Sequence, residues 1–313
     1  MPGRGPVTFH DPADYAAGFL DDARVDFAIT GPGPFKARLA RLSLGKLDLF
    51  FCRERLPRIA CISLRPDKTF LSLAVGAGSL VFNGVPLREG DIVLHGRGEH
   101  LYQRSMRSCR WALLSLPHEQ FADCRGASTA PSSAPIAGKI LRPPRADESR
   151  FRVLLRQAHQ LADLKQCAIA PPDTAEILER DLLLAISRCL AGNEAEEHPG
   201  TGHHHTATML RFEEALQAYT GETPSMPALC AKVGVAERTL RMCCARFLGV
   251  SPMRYILLRR LNRARATLMH AQASKTRVAD VARDNQFVEP GRFAVTYRTI
   301  FGESPSVTLR RTP

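Results

Sequence analysis

Apolar positions change their spacing along this chain, and the changes divide it into parts. From Phe35 to Leu116 they come in short runs broken by turn residues, such as Phe70-Leu71-Ser72-Leu73-Ala74-Val75 and Ser79-Leu80-Val81-Phe82. Asn83-Gly84 follows the second run, and both residues tolerate positive φ, which marks a hairpin turn. The segment Val85 to Leu94 adds a turn and a further strand. Several short strands at this spacing predict a small β-barrel or jelly-roll over residues 35–125. Residues 1–34 read as an irregular N-terminal segment.

After Phe121 the pattern changes. A stretch rich in Ser, Ala, Pro and Gly runs from Gly126 to Gly138, and helical spacing follows near 148–164 and 174–190. In the second helix Ile177, Leu178, Leu182, Leu184, Ala185 and Ile186 form a broad apolar face suited to packing on a partner helix. Residues 126–191 are therefore a loop with dimerisation or packing helices. A polar stretch containing Pro199, Gly200 and His203-His204-His205 reads as an interdomain linker over 192–208. Everything from 209 to 313 is helical, punctuated by turns. The fold class is α+β, with an N-terminal β-barrel or jelly-roll, packed helices and an all-α C-terminal domain.

Charge sharpens this division. The net charge is +12. From Met209 onward there are 17 Lys and Arg against 8 Asp and Glu, so most of the excess sits in the last third. A basic excess in one region is the footprint of a polyanion partner. No apolar run is long enough to cross a bilayer and no apolar leader segment follows Met1, which predicts a cytoplasmic protein without a membrane partner. The nine cysteines form no CxxC pair and read as small buried hydrophobes.

The helical third contains one unit twice. Leu229, Val233, Val235 and Leu240 hold two helices together, Cys230 is the small residue where they touch, and Gly234 is the turn residue tolerant of left-handed φ. A recognition helix then runs from Glu237 to Leu248 and ends at Gly249. A shift of 53 residues places Leu240, Leu248, Gly249, Ser251 and Pro252 on Phe293, Phe301, Gly302, Ser304 and Pro305. Two helix-turn-helix units result, over 226–248 and 278–301, each closing on Gly-x-Ser-Pro. Ser251-Pro252 starts a connector helix from Met253 to His270. Its length is roughly 27 Å at ~1.5 Å per residue, close to the ~34 Å between successive major-groove faces. That geometry favours duplex DNA over RNA, whose major groove is too narrow for a helix.

These residues resemble the AraC/XylS family of bacterial transcription regulators over about Leu210 to Arg311. The resemblance rests on Gly249-Val250-Ser251-Pro252, Arg259-Arg260-Leu261 with Ala264-Arg265, and Phe301-Gly302-Glu303-Ser304-Pro305. It implies base-reading side chains on the outer face of each recognition helix: Arg238, Arg241 and Met242 in the first, Gly291, Arg292 and Val295 in the second. It further implies a transcription activator without enzymatic activity or cofactor, a homodimer that binds promoter DNA and contacts RNA polymerase. Its N-terminal domain would sense a small-molecule effector. The sequence departs from the family pattern at Cys244, where a core aromatic is usual, at Gln286 in place of a turn glycine, and at Ala236 in place of a capping Ser. Each departure costs about 1 kcal/mol locally. Met242 replaces a polar contact residue.

The sharper alternatives are weaker. A small-molecule-binding or metal-dependent barrel enzyme with an accessory nucleic-acid domain would use His95 and His100, yet the close His-x-His pair and spaced carboxylate of such sites are missing. The three linker histidines have no Cys or carboxylate at ligand spacing and read as solvated. Gly76-Ala77-Gly78 is a turn between strands, because no helix follows it. Trp111 lies among apolar residues and is assigned to the core. A thiol redox regulator is the third reading, although Cys243-Cys244, inside the recognition helix, reads as packing.

Overall fold

A computed structural model describes residues 5–76, 80–125, 138–163, 172–191, 202–219 and 223–311. The strands are β1 (Val7–Phe9), β2 (Ala23–Ile29), β3 (Ala37–Leu44), β4 (Leu47–Glu54), β5 (Arg58–Leu64), β6 (Lys68–Ala74), β7 (Leu80–Phe82), β8 (Val85–Pro86), β9 (Ile92–Leu94), β10 (His100–Ser105), β11 (Cys109–Pro117) and β12 (Lys139–Leu141). The helices are α1 (Pro12–Ala17), α2 (His118–Arg125), α3 (Arg145–Asp163), α4 (Pro172–Ala191), α5 (Gly202–Ala218), α6 (Met226–Val233), α7 (Glu237–Leu248), α8 (Pro252–His270), α9 (Val278–Asp284), α10 (Pro290–Phe301) and α11 (Pro305–Arg310).

The strands form two antiparallel sheets rather than a closed barrel. The larger has the order β1-β3-β4-β11-β6-β9-β12, the smaller β2-β5-β10-β7-β8. Of the two predicted forms, the double-sheet one holds: no described strand pairs into both sheets, so each keeps its edges. Alternation along the strands explains the stacking. In β11, Trp111 and Leu113 point into the space between the sheets, while Ala112, Leu114 and Leu116 point away from it, toward α3 and α4. Both faces of the large sheet are covered, which is why Phe70 to Ala74 is buried throughout, apolar but for Ser72, and shows no period of two. Asn83 (φ 44°) and Gly84 (φ 81°) make the predicted turn, joining β7 to β8.

Two expectations need correction. The segment 1–34 is expected to be irregular, but its described residues 5–34 hold β1, α1 and β2, with Asp11 capping α1 through its side chain. The linker is shorter than 192–208, since α5 is helical from Gly202. His204 and His205 therefore lie on a helix, and the Thr208 hydroxyl donates to the His204 carbonyl at 2.8 Å. The remaining linker residues 192–201, most of the loop 126–138, Ala77-Gly78 and Cys167 lie outside the described residues.

Charge is buried between the sheets. Glu54 and Arg58 are both 1% exposed and pair at 2.7 Å. Glu54 also accepts hydrogen bonds from Tyr15 Oη and Trp111 Nε1, each at 2.9 Å, and Arg58 donates to the Gln103 carbonyl at 2.7 Å. A buried ion pair is tolerable only when its remaining lone pairs and protons are satisfied. Here Tyr15, Trp111 and Gln103 do that.

The small sheet carries the C-terminal domain on its outer face. Alternation in β10 sends Leu101 and Gln103 inward and leaves Tyr102 and Arg104 facing the helices. Tyr102 Oη donates to Glu213 at 2.8 Å, and Glu213 pairs with Arg259. Asn262 binds both backbone groups of Ile29 on the edge strand β2. The Gly33 amide donates to the Phe301 carbonyl at 3.2 Å. One hydrophobic core runs from Trp111 through the junction to Phe247, Tyr255 and Phe293.

Candidate nucleic-acid interface

The two helix-turn-helix units sit at the ends of α8. In the first, Leu229, Val233 and Leu240 are at most 1% exposed and clamp α6 to α7. Gly234 takes φ 72° and donates to the Cys230 carbonyl at 2.9 Å, the left-handed turn that glycine adopts without strain. Ser225 caps α6 and Ser251 caps α8, whereas Ala236, lacking a side-chain acceptor, leaves the start of α7 uncapped. In the second unit Gln286 takes φ 66°, so a residue with a Cβ occupies the turn conformation. Gly249 and Gly302 end α7 and α10 at φ 73° and 76°.

Different cores hold the two units. The second is aromatic: Phe287, Phe293, Tyr297 and Phe301 pack in succession, tilted or edge-to-face, with centroids 4.6–5.5 Å apart. Tyr297 Oη donates to Thr308 at 2.9 Å, and burial pushes its phenol up to about 12. In the first, Cys243 and Cys244 are fully buried in the corresponding place, and burial raises both thiols. Cys52, Cys61, Cys109 and Cys189 are also buried, and Cys230 is half-buried.

The six residues read from the sequence all lie at the surface. Arg238, Arg241 and Met242 are exposed on α7, and Gly291, Arg292 and Val295 on α10. Met242 is 48% and Val295 68% exposed, apolar side chains with no intramolecular reason to be there. Arg241 pairs with Glu237 at 2.7 Å and Arg292 with Glu289 at 3.4 Å. Exposed pairs of this kind are weak and are easily given up to a phosphate or base edge. Arg238 has no side-chain partner among the described residues. Val288, 95% exposed, stands beside α10 and escaped the sequence reading, since one Val in a turn carries no pattern.

The connector arginines divide differently. Arg260 lies over the Phe287 ring at 4.3 Å and donates to the carbonyls of Asn285 and Gln286, so it closes the turn of the second unit. Arg265 is buried over Phe301 and pairs with Glu303 at 3.5 Å. Arg259 pairs with Glu213. These three belong to the scaffold, and the basic footprint rests on exposed cations such as Arg238, Arg254, Arg263 and Arg277.

The histidines of the enzyme reading are also accounted for. His95 is buried with Nε2 2.6 Å from Ser72 Oγ and Nδ1 3.3 Å from Glu99, between the sheets. His100 is exposed and bonds Ser63. No group of three or more His, Cys, Asp or Glu among the described residues is placed to hold a metal ion. No described helix is long and apolar enough to cross a membrane.

Comparison with known proteins agrees with this geometry. Residues 229–311 match the family described as "Helix-turn-helix domain". The chain is 29% identical over 159 residues to the "Probable thc operon regulatory protein" of Rhodococcus erythropolis, covering 50% of this chain and 47% of that one. It is 38% identical over 101 residues to "XylDLEGF operon transcriptional activator 3" of Pseudomonas putida, covering 32% and 30%. It is 26% identical over 245 residues to "HTH-type transcriptional activator RhaS" of Escherichia coli O139:H28, covering 74% and 80%. The chain thus spans less than half the length of the first two.

Proposed function

We propose that this chain, whose C-terminal domain belongs to the AraC-type helix-turn-helix family, is a sequence-specific DNA-binding transcription activator controlled by a small-molecule effector. The observation that carries the reading is the pair of helix-turn-helix units at the two ends of α8. Each turns a recognition helix outward with an exposed arginine and an exposed apolar side chain. Arginine reads guanine bidentately in the major groove and apolar groups read the thymine methyl. Arg238, Arg241 and Met242 form one reading surface, and Arg292 and Val295, with Gly291 allowing close approach, form the other. α8 has 19 residues, roughly 28 Å at ~1.5 Å per residue, which suits two successive major grooves on one side of a duplex.

The remaining parts follow from the same reading. The protein acts in the cytoplasm and is not an enzyme. Ile177 and Leu184 are 50% and 45% exposed and seven residues apart on α4, a stripe that suits a homodimer. RNA polymerase is the partner an activator requires at its promoter. The test is binding-site selection with the full chain at two salt concentrations. One motif with two blocks about a helical turn apart is expected, and Arg238→Ala should relax the preference at one position. A pool without a motif and with steep salt dependence would reduce the interaction to backbone binding and defeat the proposal.

A further inference from the structure

We propose that the cleft between the large sheet and α3 binds a small organic anion, with its charged head on Arg53 and Arg110 and a compact apolar body beneath α3. As an effector site this rests on the regulator reading above, whereas the binding itself does not. The argument starts from register. Arg38 lies directly opposite Arg53 across β3 and β4, and Arg53 directly opposite Arg110 across β4 and β11. Directly opposed residues in antiparallel strands project to the same face, so three guanidinium groups stand in one row. Like charges placed opposite each other destabilise a sheet. Folding gains nothing from such a row, and a bound anion would relieve it.

The row is only partly neutralised. Arg38 pairs with Asp163 at 2.9 Å. On α3 and its rim, Arg152 takes Glu89 and Glu148. The three carboxylates that line the cleft are thereby committed. Arg53, Arg110 and Arg156 have no side-chain partner among the described residues. The Arg110 guanidinium also lies across Gly76, where a Cβ would come within 2.8 Å of Nη2. Glycine at φ 88° leaves it the room to lie there.

The cavity beside these arginines has a volume of about 430 Å³, within the range of small-molecule sites. Phe51, Leu73, Phe151 and Leu155 line its apolar part. Guanidinium forks match carboxylate, phosphate and sulfonate oxygens geometrically. The cavity thus has a cationic end and an apolar end, which selects a ligand with both. It lies on the outer face of the large sheet and is separate from the space between the sheets.

The test is calorimetric titration of the full chain with 2-naphthalenesulfonate and with its neutral isostere 2-naphthalenesulfonamide. The sulfonate is expected to bind about tenfold or more tightly than the sulfonamide, and Arg53→Gln or Arg110→Gln to remove about that factor. Arg24→Gln, at an exposed position on the other sheet, leaves binding unchanged, and melting curves verify that all three variants fold. Equal binding of the two compounds, or undiminished sulfonate binding by both cleft variants, overturns the proposal. So does the absence of binding by the sulfonate and by 1-naphthyl phosphate at about 1 mM. Sulfonate binding that leaves DNA affinity and transcription unchanged keeps the site and removes its effector role. A selected DNA motif without anion binding does the reverse.

Discussion

Replacing Asn262 with Leu should unfasten the two domains, because one side chain here does the work of a neighbouring strand. Its Oδ1 accepts from the Ile29 amide at 2.9 Å, and its Nδ2 donates to the Ile29 carbonyl at 3.1 Å and to the Leu258 carbonyl at 2.8 Å. Ile29 is fully buried at the end of β2, the edge of the small sheet, so both backbone groups would otherwise lack partners. Leucine fills a similar volume but supplies neither partner. An unsatisfied buried donor or acceptor costs about 1–3 kcal/mol, so the pair costs about 2–6 kcal/mol unless the domains part and admit water. Hydrogen exchange reads this directly: protection of the Ile29 amide should fall by about 30-fold or more, at roughly 1.4 kcal/mol per factor of ten. Asn262→Asp should not rescue, because it keeps the acceptor but sets carboxylate oxygen against two carbonyls. Unchanged Ile29 protection, with a urea midpoint shift worth less than about 1 kcal/mol, would refute the reasoning.

Other perturbations separate the remaining contributions. Burial alone would raise the Glu54 carboxyl, but the Arg58 charge and the bonds from Arg58, Trp111 and Cys109 outweigh it and hold the group below the usual carboxylate range. A depressed folded-state value gives stability that is present above the ordinary carboxylate pKa and lost as pH falls through the folded value. Glu54→Gln should therefore flatten the acid limb of urea stability against pH, and at neutral pH cost about 3–5 kcal/mol by stranding Arg58. Gly234→Ala meets no atom within 4 Å, so its loss should be the backbone term alone, about 1–2 kcal/mol by thermal melting. Gln286→Gly relieves the same backbone strain and should raise the melting temperature. Thiol alkylation of the native protein should reach Cys230 before Cys243 or Cys244, and DNA affinity should survive mild oxidant, since burial keeps those two as thiols.

Local rules made the C-terminal third legible. Gly234, Ser251-Pro252 and the repeated Gly-x-Ser-Pro are short-range devices whose neighbours lie within a few residues; the glycine turns fall where spacing puts them and Ser251 caps α8, whereas Ser304 starts α11 without a side-chain cap. The set Arg238, Arg241, Met242, Gly291, Arg292 and Val295 comes from the family resemblance, and helical period explains why those positions face away from Leu240 and Phe293. What could not be read depends on contacts distant in sequence. Asn262 and Ile29 are separated by 233 positions, and nothing about either residue advertises the other. The Arg38-Arg53-Arg110 row exists only once strand register is known. Arg260 and Arg265 counted as part of a basic surface in the sequence, yet aromatic rings and turn carbonyls claim them. The early strand β2 was missed although legible in principle, since Arg24 and Asp26 alternate with Ala23, Val25 and Phe27 at the period of two of a half-buried strand.

The junction bears on how a sensing domain could act on two reading heads at once. Both heads touch the sheets through a fixed point: Gly249, at the end of α7, lies against the Arg104 guanidinium, and Phe301, at the end of α10, accepts from the Gly33 amide. Between them Asn262 holds the middle of α8 to β2. A helix fixed at its middle, with a contact at each flanking unit, cannot tilt relative to the sheets without moving both recognition helices. The shared core from Trp111 to Phe293 makes such a tilt a repacking of side chains rather than a hinge. Packed cores change between discrete arrangements, not continuously. On the proposed function, an effector that favours one arrangement would therefore move both recognition helices together, with its leverage bounded by its difference in affinity for the two arrangements.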